Sequence, residues 1–213
     1  MENVFVYGAG GHGKVVVDTF RNAQNAYEVT CFIDDDLRLH GREILGLPIR
    51  GPDGIDHGGG FVAIGDNASR VRIASRYRGR LATLVHRTAV VGQDVRVGEG
   101  SVLMSGAIVN VGTTIGANVI VNTAATVDHD CVIGDGVHIA PGCHLCGDVE
   151  VGEGSLLGVG TLVVPGVRIG RNAFIHAGQT ITRNVPDGAT VRASRGRPVA
   201  AVLTTGGLSH QEE

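Results

Sequence analysis

The sequence predicts a two-part fold: a small α/β Rossmann-like half domain followed by a hexapeptide-repeat β-helix. A glycine-rich loop after an apolar run near the start of the chain predicts the first part, and aliphatic residues at a strict spacing of six predict the second. The 34 glycines and the absence of Trp among 213 residues also call for a search for repeats. We expect domains at 1–82 and 83–190 and a C-terminal tail at 191–213.

Charge and hydropathy exclude several function classes. Eighteen basic and 21 acidic residues give a net charge of −3, which predicts no surface for nucleic acid or an anionic membrane. No signal peptide and no apolar stretch of about 18 to 20 residues is visible, so we expect a cytoplasmic protein. Cytoplasmic thiols stay reduced, and we expect no disulfide framework among the four cysteines.

The first part follows a βαβ-like pattern. Its predicted elements, in order, are strand 3–7, helix 11–22, strand 28–33, strand 61–64 and helix 68–78. Gly8, Gly10 and Gly13 stand in G-x-G-x-x-G register, and Asp34 lies 21 residues beyond Gly13, as in dinucleotide-binding folds. Only about 80 residues precede the repeat, enough for one mononucleotide half. We therefore predict a cradle for a nucleotide diphosphate, with a packing turn as the alternative.

The second part is defined by its six-residue period. Stepping by six from Val85 to Ile181 meets Val, Ile or Leu at all seventeen positions. The residue four places after each, from Ala89 to Val185, is nearly always small or β-branched. Helices need a period near 3.6 and simple strands a period of 2, so the pattern favours short strands that point one large and one small residue inward. No loop interrupts the register, so site residues must project from the coil surface.

The Cys-x-x-Cys pair in the repeat has a metal-binding spacing but the wrong placement. Cys131 and Cys143 fall at inward small positions, where a thiol is an apolar filler, and Cys146 falls at a corner. We therefore predict no metal site.

The opening G-A-G-G-H-G-K and the segment Val127-Asp128-His129-Asp130-Cys131 together resemble the NeuD/PglD-type sugar acetyltransferases, over roughly residues 3–185. The segment 61–67, with Arg70 after it, is similar to the family's second nucleotide-sugar loop. The resemblance implies a left-handed parallel β-helix with 18-residue coils and a homotrimer. It also implies a UDP- or GDP-linked amino sugar bound to the first domain and acetyl-CoA bound along the β-helix, in the cleft between subunits.

The resemblance also implies roles for individual residues. The residues expected to bind the substrate are Gly8, Gly10, Gly11, His12 and Gly13 at the diphosphate, Asp34 and Asp35 at the base or ribose, Gly65, Asp66 and Asn67 closing the pocket, and Asn122 near the acceptor sugar. Those expected to bind acetyl-CoA are His138, Gly147, Gly158 and Arg168, with Arg171 and Arg183 as further sources of charge. A solvated corner residue is the alternative for each of the three arginines. The segment 191–199 departs from the family's usual C-terminal motif, and residues 204–213 look disordered.

Acetyl transfer from a thioester to an amine requires a proton acceptor, and histidine is suited to it because its ordinary pKa of about 6.5 lies near working pH. His129 falls at an outward position, where Asp130 could orient its ring. Gly147 follows one coil later, and its amide could stabilise an oxyanion by roughly 3–4 kcal/mol. An ordinary outward histidine is the alternative for His129 and His138. We interpret His144 and His176 as surface residues.

The sequence thus predicts an acetyl-CoA-dependent N-acetyltransferase acting on a nucleotide-activated amino sugar, with a 4-amino-4,6-dideoxyhexose as the expected acceptor. A sialic-acid-type sugar O-acetyltransferase, a non-catalytic trimeric scaffold and an NAD-linked enzyme are the alternatives.

Overall fold

The computed structural model describes residues 1–23, 27–54 and 59–192. Its first part is a five-stranded sheet in the order β3-β4-β2-β1-β5, with two helices. The elements are β1 (Glu2–Tyr7), α1 (Gly11–Asn22), β2 (Tyr27–Ile33), β3 (Glu43–Ile44), β4 (Leu47–Arg50), β5 (Gly59–Val62) and α2 (Asn67–Arg76). Short 3₁₀ turns occupy Leu37–Leu39 and Pro52–Gly54.

The two helices pack on opposite faces of this sheet. Alternate residues of β1 point to opposite faces, so Val4 and Val6 join the core beside α1, whereas Phe5 and Tyr7 join the core beside α2. The glycine loop between β1 and α1 therefore lies at the carboxyl edge of the parallel strands, the usual place for a ligand in such sheets.

Most predicted elements of this part are confirmed, with three differences. The strand predicted at 61–64 is β5, which begins and ends two residues earlier because Gly59 and Gly60 pair with Val4 and Phe5. Helix α2 begins at Asn67 and ends at Arg76 rather than at 68 and 78. The hairpin of β3 and β4 was not predicted; Leu45 and Gly46 turn it with φ of 54° and 76°.

The second part is a three-sided β-helix of two-residue strands. Its first side contains β6 (Leu84–Val85), β9 (Val102–Leu103), β12 (Ile120–Val121), β15 (His138–Ile139), β18 (Leu156–Leu157), β21 (Phe174–Ile175) and β23 (Thr190–Val191). The second contains β7 (Val90–Val91), β10 (Ile108–Val109), β13 (Thr126–Val127), β16 (His144–Leu145), β19 (Leu162–Val163) and β22 (Thr180–Ile181). The third contains β8 (Arg96–Val97), β11 (Thr114–Ile115), β14 (Val132–Ile133), β17 (Glu150–Val151) and β20 (Arg168–Ile169).

The predicted period matches the pairing of these strands. Each strand from β6 to β22 ends on one of the seventeen aliphatic residues, and strands in successive coils pair in parallel with residues 18 apart, as Val109 does with Val127. Cys131 and Cys143 are buried inward residues, as predicted, and Cys146 is exposed. The predicted fold class, an α/β region followed by a hexapeptide-repeat β-helix, is therefore confirmed.

The pattern fails at the two ends of the β-helix. Val85 and Val91 are 36% and 41% exposed because they lie in the first coil, which has no coil beneath it. Val185, assigned to a small-residue position, instead pairs with Ile169, only 16 residues away, and so takes the place of a large aliphatic residue. The last coil is thus two residues shorter than the others.

The first part of the chain packs against the first side of the β-helix. Leu84, Val102, Met104 and Ile120 of that side share one buried core with β1 and α1. The predicted domain bounds stay a prediction, and the predicted disorder at 204–213 falls outside the described residues, as does all of the atypical segment beyond Arg192. No helix of the described ranges is long and apolar enough to cross a membrane.

Candidate active site

His129 and Asp130 form a hydrogen-bonded pair at the corner between the second and third sides. The two atoms that join them, His129 Nδ1 and Asp130 Oδ2, are 2.8 Å apart, and the side chains are 48% and 62% exposed. An ionised carboxylate only accepts hydrogen bonds, so Nδ1 carries the proton and Nε2 keeps its lone pair. The hydrogen bond with Asp130 raises the pKa of His129, and the nearby Asp128, Asp130 and Asp148 charges add to this.

Two neighbouring coils hold this pair in place. Asp128 Oδ1 accepts the backbone N–H of His129 at 2.9 Å and the side-chain amide of Asn110 at 2.8 Å, and these bonds lower the pKa of Asp128. Asp130 has a left-handed φ of 57°, which Asp tolerates better than most residues. Gly112, one coil earlier, leaves room for its carboxylate, since a β carbon there would lie 2.5 Å from Oδ1.

Gly147 lies against the His129 ring. A β carbon built on Gly147 would come within 2.5 Å of Nε2 and 3.0 Å of Nδ1, so no larger residue fits beside the ring as it stands. Among the described residues, no protein group accepts a hydrogen bond from the Gly147 amide. The corner therefore carries a basic imidazole nitrogen and, on the next coil, a buried amide that has no protein acceptor in the described residues.

A second histidine cluster lies where the glycine loop meets the first side. The His12 and His138 rings are 6.5 Å apart between centroids, and burial lowers the pKa of each to about 4, with Arg70 contributing to both. The Asn122 amide contacts His138 Nε2 at 3.1 Å, and its oxygen accepts the Thr123 N–H. Nε2 is thus an acceptor, and Nδ1 donates to Gly65 O at 3.3 Å.

His12 brings one unsatisfied atom to this cluster. Its Nε2 is buried and has no hydrogen-bond partner, the single such side-chain nitrogen or oxygen within the described residues. Buried polar groups are normally satisfied, so this nitrogen is a natural place for a polar group of a ligand.

Arg70 and Asn67 join the first part to the β-helix. Arg70 is 1% exposed, and its guanidinium donates to Asn118 O at 2.9 Å, Gly136 O at 2.8 Å and Ile64 O at 3.0 Å, while burial lowers its pKa to about 10. The Asn67 amide donates to Gly154 O and Ser155 O. The Asn67 side chain is therefore engaged in docking, and its role in closing the substrate pocket stays a prediction.

The two aspartates after β2 are used differently. Asp34 braces the glycine loop, because its Oδ2 accepts the Ala9 N–H at 2.8 Å and its Oδ1 accepts the Asp36 N–H at 2.9 Å. Asp35 is exposed and, within the described part of the chain, accepts only the Tyr7 hydroxyl, at 2.6 Å. Of the two residues predicted to face the base or ribose, Asp35 is the one with hydrogen-bonding capacity to spare.

The remaining predicted residues have ordinary surroundings. Asp66 caps α2 by accepting the Ser69 N–H at 2.8 Å, which lowers its pKa. Gly158 permits the close approach of the next coil, at Ala177. Arg168 pairs with Glu150 at 2.9 Å on an open groove of about 730 Å³ on the third side. Gly10, Gly11 and Gly65 leave open space where a β carbon would stand.

Within one chain, the two clusters do not meet. His138 projects from the first side, whereas His129 occupies the corner opposite that side. With six residues per side and strands that rise about 3.3 Å per residue, the separation is on the order of 15 Å. The sequence analysis gave no role to Asp128, next to His129, and missed Asn110 and Gly112, which lie one 18-residue coil before Asp128 and Asp130.

Family models match both parts of the chain. The PglD N-terminal domain model covers residues 3–77, and the bacterial transferase hexapeptide (six repeats) model covers 112–147. UDP-N-acetylbacillosamine N-acetyltransferase of Bacillus subtilis (strain 168) is 33% identical over 118 residues, 49% of this chain. That match spans about half, 52%, of the relative's length.

Solved structures match over nearly the whole chain. The acetyltransferase domain of PglB from Neisseria gonorrhoeae FA1090 is 36% identical with a TM-score of 0.83, over 92% of this chain and 99% of that one. The same domain has been solved with acetyl coenzyme A. PerB from Caulobacter crescentus, in complex with CoA and GDP-perosamine, is 37% identical with a TM-score of 0.80, over 88% of this chain and 92% of that one. Given these matches, the chain belongs to the NeuD/PglD-type family of hexapeptide-repeat sugar acetyltransferases.

Proposed function

We propose that this protein transfers the acetyl group of acetyl-CoA to the amino group of a nucleotide-activated amino sugar. The observation that carries the proposal is the His129–Asp130 pair beside the unpaired amide of Gly147. Relatives that act on UDP-linked or bind GDP-linked amino sugars support the substrate class, and the PglB domain structure supports acetyl-CoA as the donor. A 4-amino-4,6-dideoxyhexose is the acceptor we favour. Because both proposed substrates are cytoplasmic metabolites, we expect the enzyme to act in the cytoplasm.

The proposed reaction is a direct transfer. The amine nitrogen attacks the thioester carbonyl, and His129 Nε2 accepts the proton that this nitrogen loses. Asp130 stabilises the resulting imidazolium through Nδ1, and the Gly147 amide donates to the carbonyl oxygen as it becomes negative. Collapse of the tetrahedral intermediate breaks the carbon–sulfur bond, and the CoA thiolate that leaves takes up the proton held by His129, which restores the neutral imidazole.

We infer that the complete site forms between neighbouring copies in a homotrimer. The substrate-binding loop, including Gly11, lies on the side of the β-helix opposite His129, so one chain alone does not bring the acceptor amine to the base. A neighbouring copy would supply His129 to the loop of this one. Acetyl-CoA would lie along the later coils, near Gly158 and Arg168.

Mixing two inactive variants tests the shared site. Gly11→Asp puts a negative charge at the start of α1, where a β carbon meets nothing within 4 Å, and should block the diphosphate without disturbing the fold. His129→Ala removes the base. If the site is shared, mixed trimers of the two variants regain activity, because some interfaces combine two intact halves. No recovery in co-expressed mixed trimers would contradict the inference.

A thiol-release assay tests the reaction itself. The purified protein is incubated with acetyl-CoA and a panel of UDP- and GDP-linked 4-amino sugars, and the product is identified by mass spectrometry. We expect acetyl transfer to nitrogen and a loss of roughly 10²–10⁴-fold in His129→Ala. His144→Ala is the matched control, since it replaces an exposed histidine of the same β-helix. Transfer only to a hydroxyl would favour the O-acetyltransferase, and no transfer at all would favour the scaffold.

A further inference from the structure

A pocket beside the glycine loop is lined by apolar, acidic and basic side chains, and the proposed reaction does not identify its ligand. It has a volume of about 540 Å³, within the usual range of roughly 300–1,000 Å³ for small-molecule sites. It lies between the sheet and α2, and its walls are the apolar side chains Phe5, Val62, Ile73 and Tyr77. The pocket and the glycine loop share the end of β1, since Tyr7 lines the pocket and Gly8 begins the loop.

Asp35 is the acidic group of this pocket. Its Oδ1 accepts the Tyr7 hydroxyl, and within the described residues no hydrogen bond is made to its Oδ2. Burial and the Asp35 carboxylate raise the pKa of Tyr7, so the phenol stays protonated and keeps donating to Asp35. This bond holds the carboxylate in place and leaves its Oδ2 able to accept hydrogen bonds from a ligand.

The rim of the pocket has the opposite charge. Arg72, Arg76 and Arg78 line it and are solvent-exposed. One carboxylate within an arginine rim disfavours a cationic ligand and favours a ligand with hydrogen-bond donors at one end and negative charge at the other. A flat aromatic group would also bury apolar area against the walls and can stack on a guanidinium.

We propose that this pocket binds a guanine base, so that the nucleotide-linked acceptor substrate is a GDP-sugar; this rests on the proposed function. Guanine presents its N1–H and its 2-amino group side by side, and the two oxygens of a carboxylate accept both. Uracil presents one N–H between two carbonyl oxygens, which would face the Asp35 carboxylate unfavourably. The diphosphate then extends toward the start of α1, at Gly11.

Titration calorimetry with GDP, IDP and UDP tests the assignment. IDP differs from GDP only in lacking the 2-amino group, so it isolates the second hydrogen bond to Asp35. We expect GDP to bind roughly tenfold or more tighter than IDP, the range of one hydrogen bond to a charged group, and UDP to bind more weakly still. In Asp35→Asn, which the fold should tolerate because Asp35 is exposed, the preference for GDP over IDP should fall to near one.

Asp36→Asn is the matched control, because Asp36 is in the same loop but pairs with Arg38 at 2.7 Å. It should retain the GDP preference. Equal or tighter binding of UDP, or an unchanged preference in Asp35→Asn, overturns the guanine assignment; acetyl transfer to a UDP-sugar in the same samples would show that the proposed function survives. If none of the three nucleotides binds and no transfer occurs, both proposals are wrong.

Discussion

Replacing Gly147 by alanine tests whether the imidazole position matters for the reaction. A β carbon at 147 would lie within 2.5 Å of His129 Nε2, whereas ordinary contacts begin near 3.4 Å, so the ring must move by about 1 Å. The Gly147 backbone does not lie in the left-handed region, so alanine can adopt it, and the substitution keeps the amide N–H. Misplacement of a catalytic group by this distance costs about 100-fold, which is the loss of kcat that we expect.

The assay is steady-state release of CoA thiol, with both substrates varied. KM should change little, because the ring is not expected to bind the ground state tightly. A double-mutant cycle with His129→Ala supplies the control, since Gly147→Ala should add less than about threefold when the ring is absent. Circular dichroism and the oligomeric state should match the wild type, because the ring is half exposed and can rotate away.

Two results would refute this reasoning. A kcat within threefold of the wild type would show that the His129 position is not critical. An equal loss in the His129→Ala background would show that alanine at 147 acts through something other than the ring, such as the path of the thioester.

Three further predictions follow from the Asp130 hydrogen bond, the two buried histidines and the contacts of Arg70. In Asp130→Asn, the acidic limb of the kcat–pH profile should move to lower pH, because the bond that raises the pKa of His129 is lost, and the plateau should fall by roughly 10²–10⁴-fold. His12 and His138 have pKa values of about 4 in the folded protein, so between pH 6.5 and 4 the unfolded chain binds more protons. The free energy of unfolding should therefore fall by up to about 3 kcal/mol per imidazole as the pH drops from about 6.5 to 4. Thermal melts at a fixed protein concentration should show a smaller decrease in Tm over this pH range for His138→Gln than for the wild type. Arg70→Met should lower the free energy of unfolding in urea by about 3 kcal/mol, since it leaves buried carbonyls without donors, and an unchanged value would contradict its docking role.

The β-helix could be predicted almost completely from the sequence because its fold repeats one local rule. Each of the seventeen aliphatic residues takes the same position in its coil, so the period predicts side and corner throughout, and burial everywhere except in the first coil. The rule also extends to the site: Asn110 and Gly112 lie 18 residues before Asp128 and Asp130, so coil arithmetic could have found them. Val185 escaped because valine suits both the large and the small position, which hides a two-residue shortening.

The contacts between the two parts could not be predicted in the same way. An arginine in a polar helix is normally exposed, and Arg70 is buried because α2 docks on the β-helix. Its guanidinium donates to two stretches of the β-helix, at Asn118 and Gly136, and to Ile64 in the loop before α2. The local pattern around Asn67 likewise favours a ligand-binding loop, while its amide bonds to Gly154 and Ser155, 87 and 88 residues away. These contacts join residues that are far apart in the sequence, so no short stretch of sequence predicts them.

The hydrogen bonds of Arg70 restrict motion between the two parts of the chain. Moving the first part of the chain away from the β-helix would separate the buried Arg70 guanidinium from its acceptors at Asn118 and Gly136, so a hinge between the two parts is energetically disfavoured. The two parts are therefore held in a fixed relative position, and substrate binding should cost little entropy for ordering them.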